Sequence, residues 1–187
     1  MRAPIPAAVT TRTPSGLTRK VTRTQTVSLT HSGDLFAIGD DSRGYLLRNT
    51  GSGTFEDVTA RARVADVGGA REATFVDLDH DGDLDLFVVG YGGMMNRVYR
   101  NNLDGTFTAA WLGGATGTRD VAIADLDGDG RIDLFLTREN GAGMFYRNAG
   151  LHRFSDVTAE SGLGANLGGA VAVGDFNNDG LLDIFLA

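Results

Sequence analysis

Residues 77–85 read DLDHDGDLD, which packs Asp77, Asp79, Asp81, Asp83 and Asp85 around Gly82. Two unit charges about 5 Å apart repel by roughly 1–3 kcal/mol at the effective dielectric of a protein surface. Five carboxylates in so short a span imply either a solvated acidic tract or a positive charge among them. The pattern returns as DLDGDGRID at 125–133 and DFNNDGLLD at 175–183, at spacings of 48 and 50 residues. All three copies fit D-x-[DN]-x-D-G-x-x-D. The second copy supplies Asp125, Asp127, Asp129 and Asp133, and the third Asp175, Asn177, Asp179 and Asp183. Three copies in register, each closed by Asp at position 9, favour a metal loop over chance acidic turns.

Oxygens at positions 1, 3 and 5 with Gly at 6 match the opening of an EF-hand loop, in which alternate side chains converge while Gly permits the bend. An EF-hand needs Glu at position 12, where this chain has Val88, Leu136 and Leu186. The EF-hand is therefore rejected. Three oxygens from positions 1, 3 and 5, two from a bidentate Asp at 9, one backbone carbonyl at 7 and a water make about seven, within the range calcium takes. The carbonyl at 7 belongs to Asp83, Arg131 or Leu181, and a backbone ligand tolerates that variety. About three Ca2+ sites are expected. Mg2+ is less suited because it keeps more of its water, and zinc lacks convergent His or Cys. The third loop should bind most weakly, because Asn177 replaces a carboxylate. His80 occupies non-ligand position 4 and is expected to face solvent.

Other chemistry is sparse. Cysteine is absent, which removes disulfides, thiolate metal sites and thiol nucleophiles. His31, His80 and His152 have no repeated acid or Ser companion, and no nucleophile elbow, zincin helix or phosphate loop is present. Aspartates held ionised by calcium would be poor glycosidase acids. No catalytic or organic-cofactor residues are expected, and the chain reads as a non-enzymatic binding module. The alternative is one part of a larger propeller enzyme whose catalytic residues lie outside this chain.

The elements that must position the loops follow from the same repetition. YLLRNTGSGTFEDVTA, VYRNNLDGTFTAA and FYRNAGLHRFSDVTA place Phe55, Phe107 and Phe154 at spacings of 52 and 47 residues. Two signals sharing a period near 50 residues indicate a solenoid, propeller or array. In the third repeat, strands are expected at 121–124, 133–137, 144–147 and 153–157, with a hairpin turn at Asn140-Gly141. The strand leaving each acidic loop is almost continuously apolar, as suits burial on both faces. No sustained helical period exists, so the class is all-β.

The first repeat is degenerate. HSGDLFAIG aligns Asp34 with Asp85, and places Thr26, Ser28 and Thr30 where later copies carry liganding side chains. The expected organisation is a basic, Thr/Arg-rich leader at 1–25, disordered, followed by repeats at 26–60, 71–111 and 119–158 and a half repeat at 169–187.

The chain has 187 residues, 42% hydrophobic and 22% charged, the balance of a folded globular chain. The net charge of −7 argues against nucleic-acid binding, and no window approaches a membrane span. The N-terminus has no sustained apolar core and does not read as a secretory signal. Trp111 is expected to pack between sheets, and Tyr45, Tyr99, Tyr146 and the recurrent Arg-Asn pairs to serve structure. The differing loops at 59–70, 111–119 and 159–169 are the expected partner contacts.

VAIADLDGDGRIDLFLT and GGAVAVGDFNNDGLLDIFLA resemble FG-GAP (VCBS-type) repeats, and RNTGSGTFEDVTA, YRNNLDGTFT and FSDVTAESGL are similar to the variant of the ASPIC/UnbV, cartilage-acidic-protein-like group. The resemblance covers roughly residues 30–187. It implies an integrin-α-like β-propeller of four-stranded blades, about 3.5 of them here, with calcium in the strand-connecting loops. Its ligand positions fall on Asp77, Asp79, Asp81 and Asp85, on Asp125, Asp127, Asp129 and Asp133, and on Asp175, Asn177, Asp179 and Asp183. It further implies an extracellular or cell-envelope location and a protein or carbohydrate ligand. Family propellers usually have about seven blades, so the chain is expected to be a fragment, or to self-associate through open blade edges.

Overall fold

The computed structural model describes residues 8–12, 18–22, 24–29, 33–39, 43–65, 69–90, 92–139, 141–151, 153–163 and 168–187. These residues contain sixteen β-strands and no helix, so none crosses a membrane as an apolar helix. Contacts divide the chain into two compact units: residues 1–76 with 83–111, and residues 77–82 with 112–187.

The first unit contains β1 (Ala8–Arg12), β2 (Thr18–Thr22), β3 (Thr24–Leu29), β4 (Leu35–Gly39), β5 (Gly44–Asn49) and β6 (Phe55–Asp57). They form one sheet in the order β2-β1-β6-β5-β4-β3. The next sheet has the order β10-β9-β8-β7, from β7 (Ala70–Val76), β8 (Asp85–Gly90), β9 (Met95–Asn101) and β10 (Phe107–Thr116). Strands β4 and β8 are buried at every position, as the apolar runs LFAIG and LFVVG require; β8 also buries Asp85 at its start. Phe36, Ile38, Leu86, Val88, Tyr99 and Phe107 contribute to one core cluster.

In the second unit β11 (Thr118–Ala124), β12 (Asp133–Arg138), β13 (Met144–Asn148) and β14 (Phe154–Asp156) form an antiparallel meander. A two-stranded sheet follows, β15 (Val171–Gly174) with β16 (Asp183–Leu186). Phe135, Phe145 and Val157 are buried, and Val171, Val173, Ile184 and Leu186 pack on them. The fold is an all-β, propeller-type arrangement of small sheets amounting to about three and a half blades.

Two expectations, for the leader and for residues 111–119, differ from the structure. The 1–25 leader contains β1 and β2, paired antiparallel, with Thr11 and Arg12 of β1 running parallel to Phe55 and Glu56 of β6. β-Branched Thr suits an extended backbone even without apolar alternation. Thr26 and Ser28, aligned with liganding positions of the later loops, lie within β3, which pairs up to Leu29 with Leu35. Residues 111–116 extend β10, and only Gly117, at φ 68°, separates it from β11. His31, Asn140 and His152 lie outside the described residues, as does the Trp111 side chain.

Candidate metal centre

Each acidic loop joins the first two strands of its sheet. In the second loop, Ala124 pairs with Asp133 across the β11–β12 ladder, so the eight intervening residues must turn back on themselves. The turn uses left-handed backbone at positions 4 and 6: His80 at φ 58° and Gly82 at 91°, Gly128 at 73° and Gly130 at 86°, Asn178 at 66° and Gly180 at 88°. Residues without a branched Cβ suit these positions best. His80 is exposed, as its sequence position implied.

The same hydrogen bonds hold all three loops. The position-6 amide donates to the first carboxylate: Gly82 to Asp77 Oδ2 at 3.1 Å, Gly130 to Asp125 Oδ2 at 2.9 Å, and Gly180 to Asp175 Oδ2 at 2.9 Å. Asp129 and Asp179 amides donate to Asp125 and Asp175 Oδ1 at 3.0 and 3.1 Å. The first carboxylate is thus fixed before any ion is considered.

Two groups of carboxylates converge. Asp77, Asp79 and Asp81 form one, and Asp125, Asp127 and Asp133 the other; in each, one oxygen per residue lies within 4.8 Å of the others. Asp77 Oδ1 is buried and accepts no hydrogen bond, and Asp79 Oδ1 is buried beside it in the loop. A buried carboxylate oxygen without a donor is costly, and a hard cation satisfies it. The donor set, oxygen only, fits calcium or magnesium.

Other contacts engage Asp127 of the second group and the expected ligands outside the two groups. Asp129 and Asp127 bear guanidinium partners, Arg131 Nη2 on Asp129 Oδ2 and Arg147 Nε on Asp127 Oδ2 at 2.7 Å. In the third loop Asp179 Oδ2 accepts from Asn177 Nδ2 at 2.9 Å, and Leu181 donates its amide to Asp179 Oδ1 at 2.8 Å. Asp83 is half-buried, and Asp85 is buried in β8.

The closing Asp has a second task that spacing alone did not reveal. Asp133 is fully buried and accepts two backbone N–H groups, Asn148 on Oδ1 at 2.8 Å and Leu126 on Oδ2 at 3.1 Å. Asp85 Oδ1 accepts from Asn101 at 2.8 Å, and Asp183 Oδ2 accepts from Phe176 at 3.0 Å. Burial raises the Asp133 carboxyl above its ordinary value; the two N–H groups oppose that, and the charges of Asp127 and Asp129 reinforce it.

Asn148 extends this lock. Its Nδ2 donates to Leu78 O at 2.7 Å and Ile132 O at 3.0 Å, and its Oδ1 accepts from Gly150 at 2.9 Å. The recurring Arg-Asn phrase was the available signal, and its structural role agrees with its tandem repetition.

The FG-GAP-like repeat model matches residues 32–88, 77–136 and 125–186, which together span most of the chain. The protein belongs to the FG-GAP-like repeat family. Each matched FG-GAP-like segment from the second onward begins at the first Asp of an acidic loop. Comparison with curated protein sequences found no match. Among solved structures, the chain is similar to an Agrocybe aegerita lectin described as specifically recognising non-reducing terminal N-acetylglucosamine. The TM-score is 0.55 at 24% identity, over 84% of this chain and 45% of that one. The chain therefore spans less than half the length of that lectin, and the likeness concerns the fold.

Proposed function

We propose that this FG-GAP-like repeat chain is a calcium-binding, non-enzymatic scaffold that presents its variable loops to a carbohydrate ligand outside the cell or in the cell envelope. The buried, donorless Oδ1 of Asp77 within a group of three carboxylates is the observation that carries the metal reading. Calcium would supply the positive charge that offsets carboxylate repulsion in each loop. The chain's own residues do the rest: the glycine amides orient the first carboxylate, and the closing Asp ties the loop to the strand behind it.

Fold likeness to a sugar-binding protein supports carbohydrate over protein as the first ligand class to test. Glycans ending in N-acetylglucosamine are the first probes. Calorimetric titration of metal-stripped protein with calcium tests the metal reading; heat matching up to three sites is expected, and no binding at millimolar calcium would end it. A glycan array read with calcium and with chelator tests the ligand. Binding that disappears with chelator supports the scaffold, whereas an array without signal in calcium rejects carbohydrate.

A further inference from the structure

We propose that Arg131 and Arg147 are built-in counter-cations of the second acidic loop: they hold it folded without metal and give way when a divalent cation enters. The inference rests on the calcium reading for its second half only. Arg131 pairs through Nη2 with Asp129 and donates from Nε to Asn148 O at 2.7 Å, while Arg147 Nε meets Asp127 Oδ2 at 2.7 Å. Positions 3 and 5 of this loop thus each have a guanidinium, which offsets two of its four negative charges.

The other loops differ at the decisive position. Position 7 is Asp83 in the first loop and Leu181 in the third, so neither can supply the Arg131 contact. In the third loop the corresponding oxygen, Asp179 Oδ2, takes a neutral amide from Asn177 instead. The two arginine side chains are 44% and 45% exposed. Such pairs are weak and screened by salt, so they can separate. A guanidinium that stayed beside a divalent ion would weaken its binding by more than about tenfold, through repulsion across roughly 5 Å. The second loop should accordingly tolerate metal removal better, and bind calcium less tightly, with these arginines than without them.

The position-6 amides of Gly82, Gly130 and Gly180 each donate to the first carboxylate of their own loop, so their NMR signals report the three loops separately. The test compares the full chain with R131Q, R147Q and the double variant. In metal-free, low-salt buffer, amide exchange at Gly130 should quicken at least threefold in the double variant, with Gly82 and Gly180 unchanged. Raising salt should quicken Gly130 in the parent protein. Unchanged exchange overturns the proposal whether or not calcium binds. In calcium titrations the Gly130 midpoint should fall about tenfold in the double variant; an unmoved midpoint overturns the displacement step. A parent protein in which no glycine signal responds to calcium rejects the calcium reading, and the metal-free exchange still decides the role of the arginines.

Discussion

Replacing Asn148 with Ala should be among the most destabilising single changes in the second unit. The residue is fully buried, and its side chain bonds Leu78 O, Ile132 O and the Gly150 amide at 2.7, 3.0 and 2.9 Å. Each bond contributes about 0.5–1.5 kcal/mol net, and a buried polar group left without its partner costs about 1–3 kcal/mol. Leu78 is itself fully buried, so water cannot readily replace the lost donor at its carbonyl. The Gly150 amide is less enclosed and recovers part of its loss from solvent. The expected total is about 3 kcal/mol. The backbone bond from Asn148 to Asp133 survives the substitution, so the second loop should keep its closing contact. Urea unfolding, in calcium and in chelator, measures the loss. Asn101 offers an internal comparison: its Nδ2 bonds Leu84 O at a longer 3.2 Å and the residue is partly exposed, so N101A should lose about half as much. An N148A midpoint within about 0.5 kcal/mol of the parent protein would refute the reasoning.

Stripping calcium should lower the melting temperature. One site with a dissociation constant near 10 μM contributes about 2.7 kcal/mol at 1 mM ion, or roughly 5–10 °C, and a melt indifferent to verified stripping contradicts it. Gly130→Ala should cost about 1–2 kcal/mol through the backbone alone, because φ is 86° and nothing lies within 4 Å of an added Cβ. His80→Gly, at φ 58°, should gain up to about 1 kcal/mol in the same denaturation assay. Burial, reinforced by the Asp156 charge and opposed by Arg138, pushes the Tyr146 phenol up to about 12. The folded state therefore prefers the neutral phenol. That contribution is complete below the unfolded value near 10 and is lost as pH rises from 10 through 12, so Y146F should flatten stability over that window.

The third repeat was legible because its signals are local. Strands expected at 121–124, 133–137, 144–147 and 153–157 occur at Thr118–Ala124, Asp133–Arg138, Met144–Asn148 and Phe154–Asp156. An apolar run and a glycine turn are sufficient to mark such elements. The strands within 1–25 depend on pairing with β6, more than 40 residues later in the chain, which no local pattern announces. The convergence of Asp77, Asp79 and Asp81, and of Asp125 and Asp127, could be read from spacing, since alternate residues in a tight turn approach one another. The guanidinium partners could not. Arg147 meets Asp127 only because the β12–β13 hairpin folds it back beside the loop.

The degenerate first repeat separates two jobs that the complete loops combine. It has no carboxylate at the positions aligned with 1, 3 and 5, and its β3 pairs up to Leu29 with Leu35. It nevertheless keeps Asp34, whose Oδ1 accepts the Asn49 amide at 2.7 Å, the same bond that Asp85 makes to Asn101 and Asp133 to Asn148. A residue needed only as a metal ligand has no physical role where the other ligands are gone. In the first three repeats the closing Asp is therefore a fastener between neighbouring strands, and under the proposed function metal ligation would be added to it. Asn at this position should retain an acceptor for the cross-strand N–H while lowering the charge offered to an ion. D133N keeps the Asn148 bond but sets its Nδ2 against the Leu126 N–H, so it should lose about 1–3 kcal/mol in chelator and also most of its calcium-dependent gain at the second loop, whereas D34N should leave the calcium response unchanged. A D34N protein with a diminished calcium response would show that the fastening and the ion site are not separable in this way.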